Sequence, residues 1–395
     1  MSKKVAYIIT GENIYRRRGL TSAALNRVKH LLPIADYEIT VFAVANKDSW
    51  LFRKIKKRSK QETPPYIMAD GIRVNLIWMP FTVIDIFMST RLRYKPLVRQ
   101  QFFRSICGQF KDYDLLVAHS SYAVPIAYNL KKMYDIPYCA IWHGSDIHTD
   151  PFNNKYIFSL TSEIIKAAKV NFFVSKKLLE TSEQICKTNN KIVLYNGVGE
   201  NFYRFDDEIR QKLKVDLGIN LQNKVVGFAG NLIPIKNATL LPELFHYIET
   251  KYNAPLTFVV VGDGKLRAQV ESQAKATLTD CIFLGDYPSE KMPEIMNCID
   301  VLVLPSKNEG LPLATLEALA CGANVVGSDV GGIKEVLGND NVVELDENFI
   351  QKFSNRVVEL LQTKTLTPQV PSQFDWEVTT EIEASTYATI LASKQ

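Results

Sequence analysis

Short apolar runs alternate with stretches of helical periodicity along the whole chain. In the first half the runs cover residues 5–10, 37–44, 72–80, 114–120, 137–143 and 170–175. In the second half they cover 192–196, 225–230, 256–262, 281–285, 301–306, 324–328 and 342–345. Most are apolar throughout, which fits strands covered on both faces. Strands of that kind, separated by helices, form parallel sheets. Two such sets predict two doubly wound α/β domains, 1–190 and 191–373. The change is expected near 186–191, where Lys-Thr-Asn-Asn-Lys breaks the pattern. Ligands of such sheets bind outside the carboxyl ends of strands, so a cleft between two domains is the expected site.

The most informative stretch is 301–322. It opens with an apolar, β-branched run that reads as a buried strand, and 307–310 is a polar turn. Pro312 fits the first position of a helix. Leu313, Leu316, Leu319 and Ala320 keep helical spacing, and Gly322 closes the helix. Glu309 then sits in a loop at a strand's carboxyl end, and Glu317 roughly two turns into the helix. Eight residues span ~12 Å along a helix axis. One carboxylate can thus reach a sugar and the other a ribose. A diphosphate would lie between them at the helix N-terminus, where free N–H groups and the dipole favour anions. Two glutamates eight apart also arise by chance, so the surrounding residues decide.

Those residues are Glu309-Gly310-Leu311-Pro312 and Glu317-Ala318-Leu319-Ala320-Cys321-Gly322. The block closely resembles the signature of retaining GT-B glycosyltransferases, the glycogen-synthase-like family 4, also called glycosyl transferases group 1. Residues 230–237 resemble that family's Gly-Arg-Leu-x-x-x-Lys-Gly, whose Arg and Lys grip the donor diphosphate. Lys236 matches; Asn231 stands where the Arg would be and carries neither its charge nor its two-pronged contact. Residues 259–267 resemble the Val-Gly-x-Gly loop near the nucleotide, with Gly262. They are not a dinucleotide fingerprint, because Arg267 occupies the third glycine position. His143 resembles the histidine that contacts the donor sugar, with Asp146 ordering its loop. Gly19, at a helix start, resembles a glycine lying against the diphosphate or the acceptor; a plain loop glycine is the other reading. Phe374-Asp375-Trp376 and the helix after it resemble the family's last helix, which crosses back and assigns 374–395 to the first domain. The likeness is strong from 190 to 376 and weak between 45 and 110.

The resemblance implies a GT-B fold of two facing Rossmann-like domains and transfer of a hexose-type sugar from a nucleotide-diphosphate donor, with retention. It makes Glu309, Lys236 and His143 catalytic. Gly19, Asn231, Gly262, Gly310, Leu311, Leu313 and Glu317 become donor-binding. Lys236 and the amides near Leu313 would stabilise the departing diphosphate. Glu309, His143 and Gly310 would hold sugar hydroxyls, and Glu317 the ribose. No metal and no cofactor is expected, since a lysine and a helix end serve instead. His143 and His148 have no third ligand at a recognisable spacing. A second class is a non-catalytic GT-B subunit that binds a partner transferase or an acceptor. Asn231 favours it; the intact Glu309, Glu317 and Lys236 set opposes it.

Composition alters this picture in one respect. The 395 residues exceed one ordinary core, and no apolar stretch is long enough for a spanning helix. The first apolar run is too short for a signal peptide. Six scattered cysteines with no Cys-x-x-Cys pair read as reduced thiols in the cytoplasm. The net charge of +5, however, conceals an asymmetry: 29 Lys+Arg against 15 Asp+Glu up to residue 190, and 18 against 27 after it. Arg53, Lys54, Lys56, Lys57, Arg58 and Lys60 form one basic cluster. Arg91, Arg93, Lys95, Arg99 and Arg104 form another, among Phe87, Tyr94, Phe102 and Phe103. Basic residues beside aromatics fit a membrane-surface segment; a solvated loop and helix are the alternative. The expectation is a cytoplasmic protein, peripheral on the inner face of the membrane. Its acceptor would be a lipid-linked glycan or glycolipid of surface polysaccharide synthesis, and nucleic acid is no partner.

Overall fold

The computed structural model describes residues 2–11, 19–49, 53–54, 62–81, 100–363 and 368–393. They form two compact units, Met1–Asn196 with Trp376–Gln395, and Gly197–Asp375.

The first unit holds eight strands: β1 (Lys4–Thr10), β2 (Glu38–Asp48), β3 (Tyr66–Ala69), β4 (Ile72–Phe81), β5 (Leu115–His119), β6 (Tyr138–Trp142), β7 (Val170–Phe173) and β8 (Lys191–Val193). Their order is β3-β4-β2-β1-β5-β6-β7-β8. Every pairing is parallel except β3 with β4. β5 and β6 are buried along their whole length, as their unbroken apolar sequences require. One face of β1, through Val5, Tyr7 and Ile9, packs with Ala24, Val28 and Leu31 of the helix Leu20–Leu31. Tyr387, Ile390 and Leu391 of the last helix, Trp376–Ala392, join the same core.

Two features depart from the sequence pattern. β3 is a four-residue apolar run, Tyr-Ile-Met-Ala, that is too short to stand out in the sequence pattern. Its signal was Asp70-Gly71, both at positive φ (51° and 79°) between paired Ala69 and Ile72, a two-residue hairpin turn. Residues 192–196 do not open the second unit: Lys191–Val193 pairs with β7 as an edge of the first sheet. The polar residues 187–190 join the helix Lys176–Glu183 to that edge, so the chain leaves this unit only after Asn196.

The second unit has six strands, β9 (Lys224–Ala229), β10 (Leu256–Val261), β11 (Cys281–Gly285), β12 (Val301–Leu304), β13 (Asn324–Ser328) and β14 (Val342–Val343). All are parallel, in the order β11-β10-β9-β12-β13-β14. Counted along the chain this is 3-2-1-4-5-6, and the order reverses between β9 and β12. Phe228, Phe258 and Val303 pack beneath Phe245 and Phe353 of the covering helices.

No helix among the described residues is long and apolar enough to cross a membrane. Of the two basic clusters, Lys56, Lys57, Arg58, Lys60, Arg91, Arg93, Lys95 and Arg99 lie outside the described residues, as do Phe87 and Tyr94. Phe102 and Phe103 are buried, at 8% and 7% exposure, because the helix Gln100–Ile106 turns them inward; they are not part of an exposed aromatic surface.

Candidate active site

In the second unit, the sequence block around Glu309 lies at the switch point. Two loops leave the carboxyl ends of β9 and β12, the neighbours between which the strand order reverses. The β9 loop carries Asn231 and Lys236; the β12 loop carries Ser306, Glu309 and Gly310. Ile235 accepts a hydrogen bond from the Lys307 amide at 2.8 Å, which ties the loops together. Lys236 Nζ donates to Glu309 Oε1 at 2.5 Å, and Ser306 Oγ donates to the same oxygen at 2.6 Å. The Glu309 side chain is 9% exposed and that of Lys236 23%, so the pair is partly desolvated and more strongly held than a surface ion pair. Ser306 is held in turn by Ser328, whose hydroxyl donates to its carbonyl.

Two glycines make this backbone possible. A Cβ on Gly331, at φ +55°, would lie 1.9 Å from the Glu309 carbonyl oxygen. The Gly332 amide meanwhile donates to Gly310 O at 2.8 Å. A Cβ on Gly262, at φ +127°, would lie 2.0 Å from Gly230 O, where the 259–264 loop crosses the Asn231 backbone. Both sites need hydrogen in place of a side chain. Asn231 is exposed, with no side-chain bond among the described residues. Gly310 and Leu311 are buried.

The helix after this loop is Leu313–Ala320, with Pro312 as its N-cap, and Gly322 follows its end at φ +84°. Glu317 is the fifth helical residue, little more than one turn in instead of roughly two; Pro312, which precedes the first helical residue instead of occupying it, accounts for only one residue of that difference. The amides of Leu313 and Ala314 have no acceptor within the helix and are free for an anion. Burial alone pushes the Glu317 carboxyl up to about 7. Between 4.5 and about 7 the folded chain holds this proton and the unfolded chain does not. Stability therefore falls as pH rises through that window. Glu317→Gln keeps the shape without the charge. It should stabilise the second unit by roughly 1–2 kcal/mol above neutral pH and do nothing below the window, read from urea midpoints at the two pH values. An equal gain at both would show that ionisation is not the cause.

In the first unit, Gly19 precedes the helix Leu20–Leu31 at φ +49°, and a Cβ there would meet no atom of the described residues within 4 Å. His143 follows β6. Its amide and that of Gly144 donate to the Asp146 carboxylate at 3.2 and 2.8 Å, so Asp146 does order this loop. His148 turns elsewhere, its Nδ1 2.7 Å from Thr149 Oγ1. The His143 ring meets a residue the sequence did not single out: Nε2 lies 3.0 Å from His119 Nδ1, at the end of the neighbouring β5. The only sequence signal was a histidine closing an apolar strand.

Residues 209–370 match the family model described as "Glycosyl transferases group 1". The second unit carries a glycosyl transferases group 1 domain. Over 363 residues the chain is 26% identical to the Bacillus subtilis (strain 168) protein named as a teichuronic acid biosynthesis glycosyltransferase, TuaC, covering 90% of this chain and 88% of that one. N-acetyl-alpha-D-glucosaminyl L-malate synthase of Bacillus anthracis is 30% identical over 58% of this chain and 60% of its own. Among solved structures, Anabaena HepE in complex with UDP and glucose superposes with a TM-score of 0.68 at 18% identity, covering 99% and 98% of the chains. Sucrose-phosphate synthase from Thermosynechococcus elongatus gives 0.75 at 14% identity, covering 99% and 100%. The fold is that of the GT-B glycosyltransferases.

Proposed function

We propose that the protein is a retaining glycosyltransferase that moves a hexose-type sugar from a nucleoside-diphosphate sugar to an acceptor. The observation that carries this is the Lys236–Glu309–Ser306 cluster at the β9/β12 switch point, beside the free amides of Leu313 and Ala314. Lys236 and those amides take the diphosphate, and its growing negative charge is what they stabilise. Glu309 and Gly310 hold sugar hydroxyls and Glu317 the ribose, with no metal in the scheme. HepE, a structural neighbour, is described with UDP and glucose bound, which makes a uridine nucleotide the first donor to try. Release of nucleoside diphosphate that requires both a nucleotide sugar and an acceptor is the expected result. A chain that binds the nucleotide and never releases product would instead be a non-catalytic subunit. Above about pH 7, where its carboxyl is ionised, Glu317→Ala should weaken nucleoside diphosphate binding by ~1.5–3 kcal/mol, the worth of a charged hydrogen bond.

The acceptor in this reading is a lipid-linked glycan of surface polysaccharide synthesis, met at the cytoplasmic membrane surface. Its supports are the excess of 29 basic over 15 acidic residues up to residue 190 and the likeness to TuaC. Each Lys or Arg near an anionic bilayer contributes about 1 kcal/mol. Vesicle sedimentation should therefore need anionic lipid and fade with salt. Equal recovery on neutral vesicles would point to a soluble acceptor.

A further inference from the structure

We propose that His119 is a positioning residue that fixes the tautomer of His143, making it a hydrogen-bond donor through Nδ1 and never through Nε2. The tautomer follows from this unit alone; its use, holding a sugar hydroxyl oxygen, rests on the function proposed above.

The two rings are arranged for one bond. Their planes differ by 26° and their centroids stand 5.2 Å apart. That separation is about what the 3.0 Å N···N distance and two ring radii add up to, so both nitrogens lie on the line joining the rings. The hydrogen bond runs in the plane of both. His119 is fully buried at the end of β5. Ser120 after it adopts a left-handed conformation, φ 63°, which turns the chain at once into the helix Ser120–Tyr134. Such a residue costs of order 1–3 kcal/mol and persists where the surroundings dictate it. His143 is held separately through its amide by Asp146, so the orientation of its ring is left to His119.

One of the facing nitrogens must carry the proton. The far nitrogen of His119, Nε2, is buried with no hydrogen-bond partner among the described residues. Were the His119 proton on Nε2, a buried N–H would be stranded; on Nδ1 it leaves only an unused lone pair. Stranded N–H groups are the rarer of the two. The neighbouring Tyr7 ring, 4.9 Å away at 47°, offers a tilted face, and its hydroxyl is engaged by Glu383 at 2.9 Å. His119 therefore donates from Nδ1, and His143 accepts at Nε2. A neutral imidazole has one N–H, so that of His143 is on Nδ1. Burial and then Arg27 push His143 down to about 3, which removes the doubly protonated form as a competitor.

The chain has five histidines, so long-range proton–nitrogen spectra of the histidine-labelled full-length protein are simple enough to assign. His143 should show the Nδ1–H pattern across roughly pH 5 to 8. In His119→Phe it should shift to Nε2–H. An Nε2–H His143 in the native chain overturns the proposal whether or not any variant folds. In the transfer assay His119→Phe should lose about tenfold, the worth of one hydrogen bond. His119→Asn, whose amide N–H reaches the place of Nδ1–H, should recover most of it. Equal loss in both variants would also overturn the positioning role. A chain that transfers no sugar but keeps the Nδ1–H signal would instead overturn the proposed function and leave the tautomer standing.

Discussion

With the proposed function, Lys236→Ala should lower kcat by ~10²–10³-fold, the usual cost of deleting one donor aimed at developing charge, with a much smaller change in donor KM. The reason lies in what Lys236 already does. Before any ligand arrives its ammonium is bound to Glu309 at 2.5 Å, with Ser306 on the same oxygen. A bound diphosphate sugar must share that cation with a carboxylate, so its ground-state gain is small. As the glycosidic bond breaks, negative charge builds on the leaving phosphate, and the attraction grows where the carboxylate's does not. An interaction stronger in the transition state than in the ground state appears in kcat. Steady-state release of nucleoside diphosphate at saturating donor measures it. A raised KM with unchanged kcat would mean uniform binding and would sink the assignment. Lys236→Arg is not a safe control, since a planar fork replaces a compact point charge.

Fold class and the second-unit site were legible because both rest on local pattern. Continuous apolar runs between helical stretches give parallel sheets, and Glu309, Glu317 and Lys236 fall on the loops and helix that the runs bound. The misplaced details also have physical causes. Glu317 lies nearer the helix start than expected because Pro312, counted inside the helix, is its cap, and because the few residues from there to Glu317 fall well short of two turns. β3 escaped because its apolar run, Tyr66–Ala69, is only four residues long, and the Asp70-Gly71 turn after it was the clearer sign. Phe102 and Phe103 looked like surface anchors because basic residues surround them in sequence, whereas helical spacing turned them inward. His119 was invisible for a deeper reason. Its role depends on lying beside His143 across two parallel strands, and register is a tertiary property.

Arg27 and Glu383 are a harder case, because a sign was present. Ala24, Arg27, Val28 and Leu31 fall at i, i+3, i+4 and i+7, so Arg27 stands on the apolar face of its helix. A charge there calls for a buried partner. The partner comes from 356 residues later, on the last helix, and no local pattern names it.

Glu383→Ala should destabilise the first unit by about 3–5 kcal/mol, out of the 5–15 kcal/mol typical of a whole domain. Arg27 and Glu383 side chains are both fully buried, joined at 3.0 Å. The other carboxylate oxygen accepts from Tyr7 at 2.9 Å and Tyr387 at 2.7 Å. Removing Glu383 thus takes the counter-charge from a guanidinium and the acceptor from two hydroxyls at once, in a place water does not reach. Arg27 also donates to Tyr195 O and Asn196 Oδ1 at 2.9 and 3.0 Å, and its guanidinium lies 5.2 Å from the Trp376 ring. It therefore binds the last residues before the chain leaves this unit and the first after it returns. Loss of its counter-charge should loosen both crossings together. Hydrogen exchange along Trp376–Ala392 should accelerate with the drop in urea midpoint. Glu381→Ala, on the exposed side of the same helix, should stay within about 0.5 kcal/mol of the native chain. Arg27→Met with Glu383→Leu removes both charges, and its loss should be smaller than that of Glu383→Ala, because no ion is left without its partner. If the double variant proves as unstable as the single one, the cost lies in packing around Tyr7 and Tyr387, and the ion pair is not what fastens the helix.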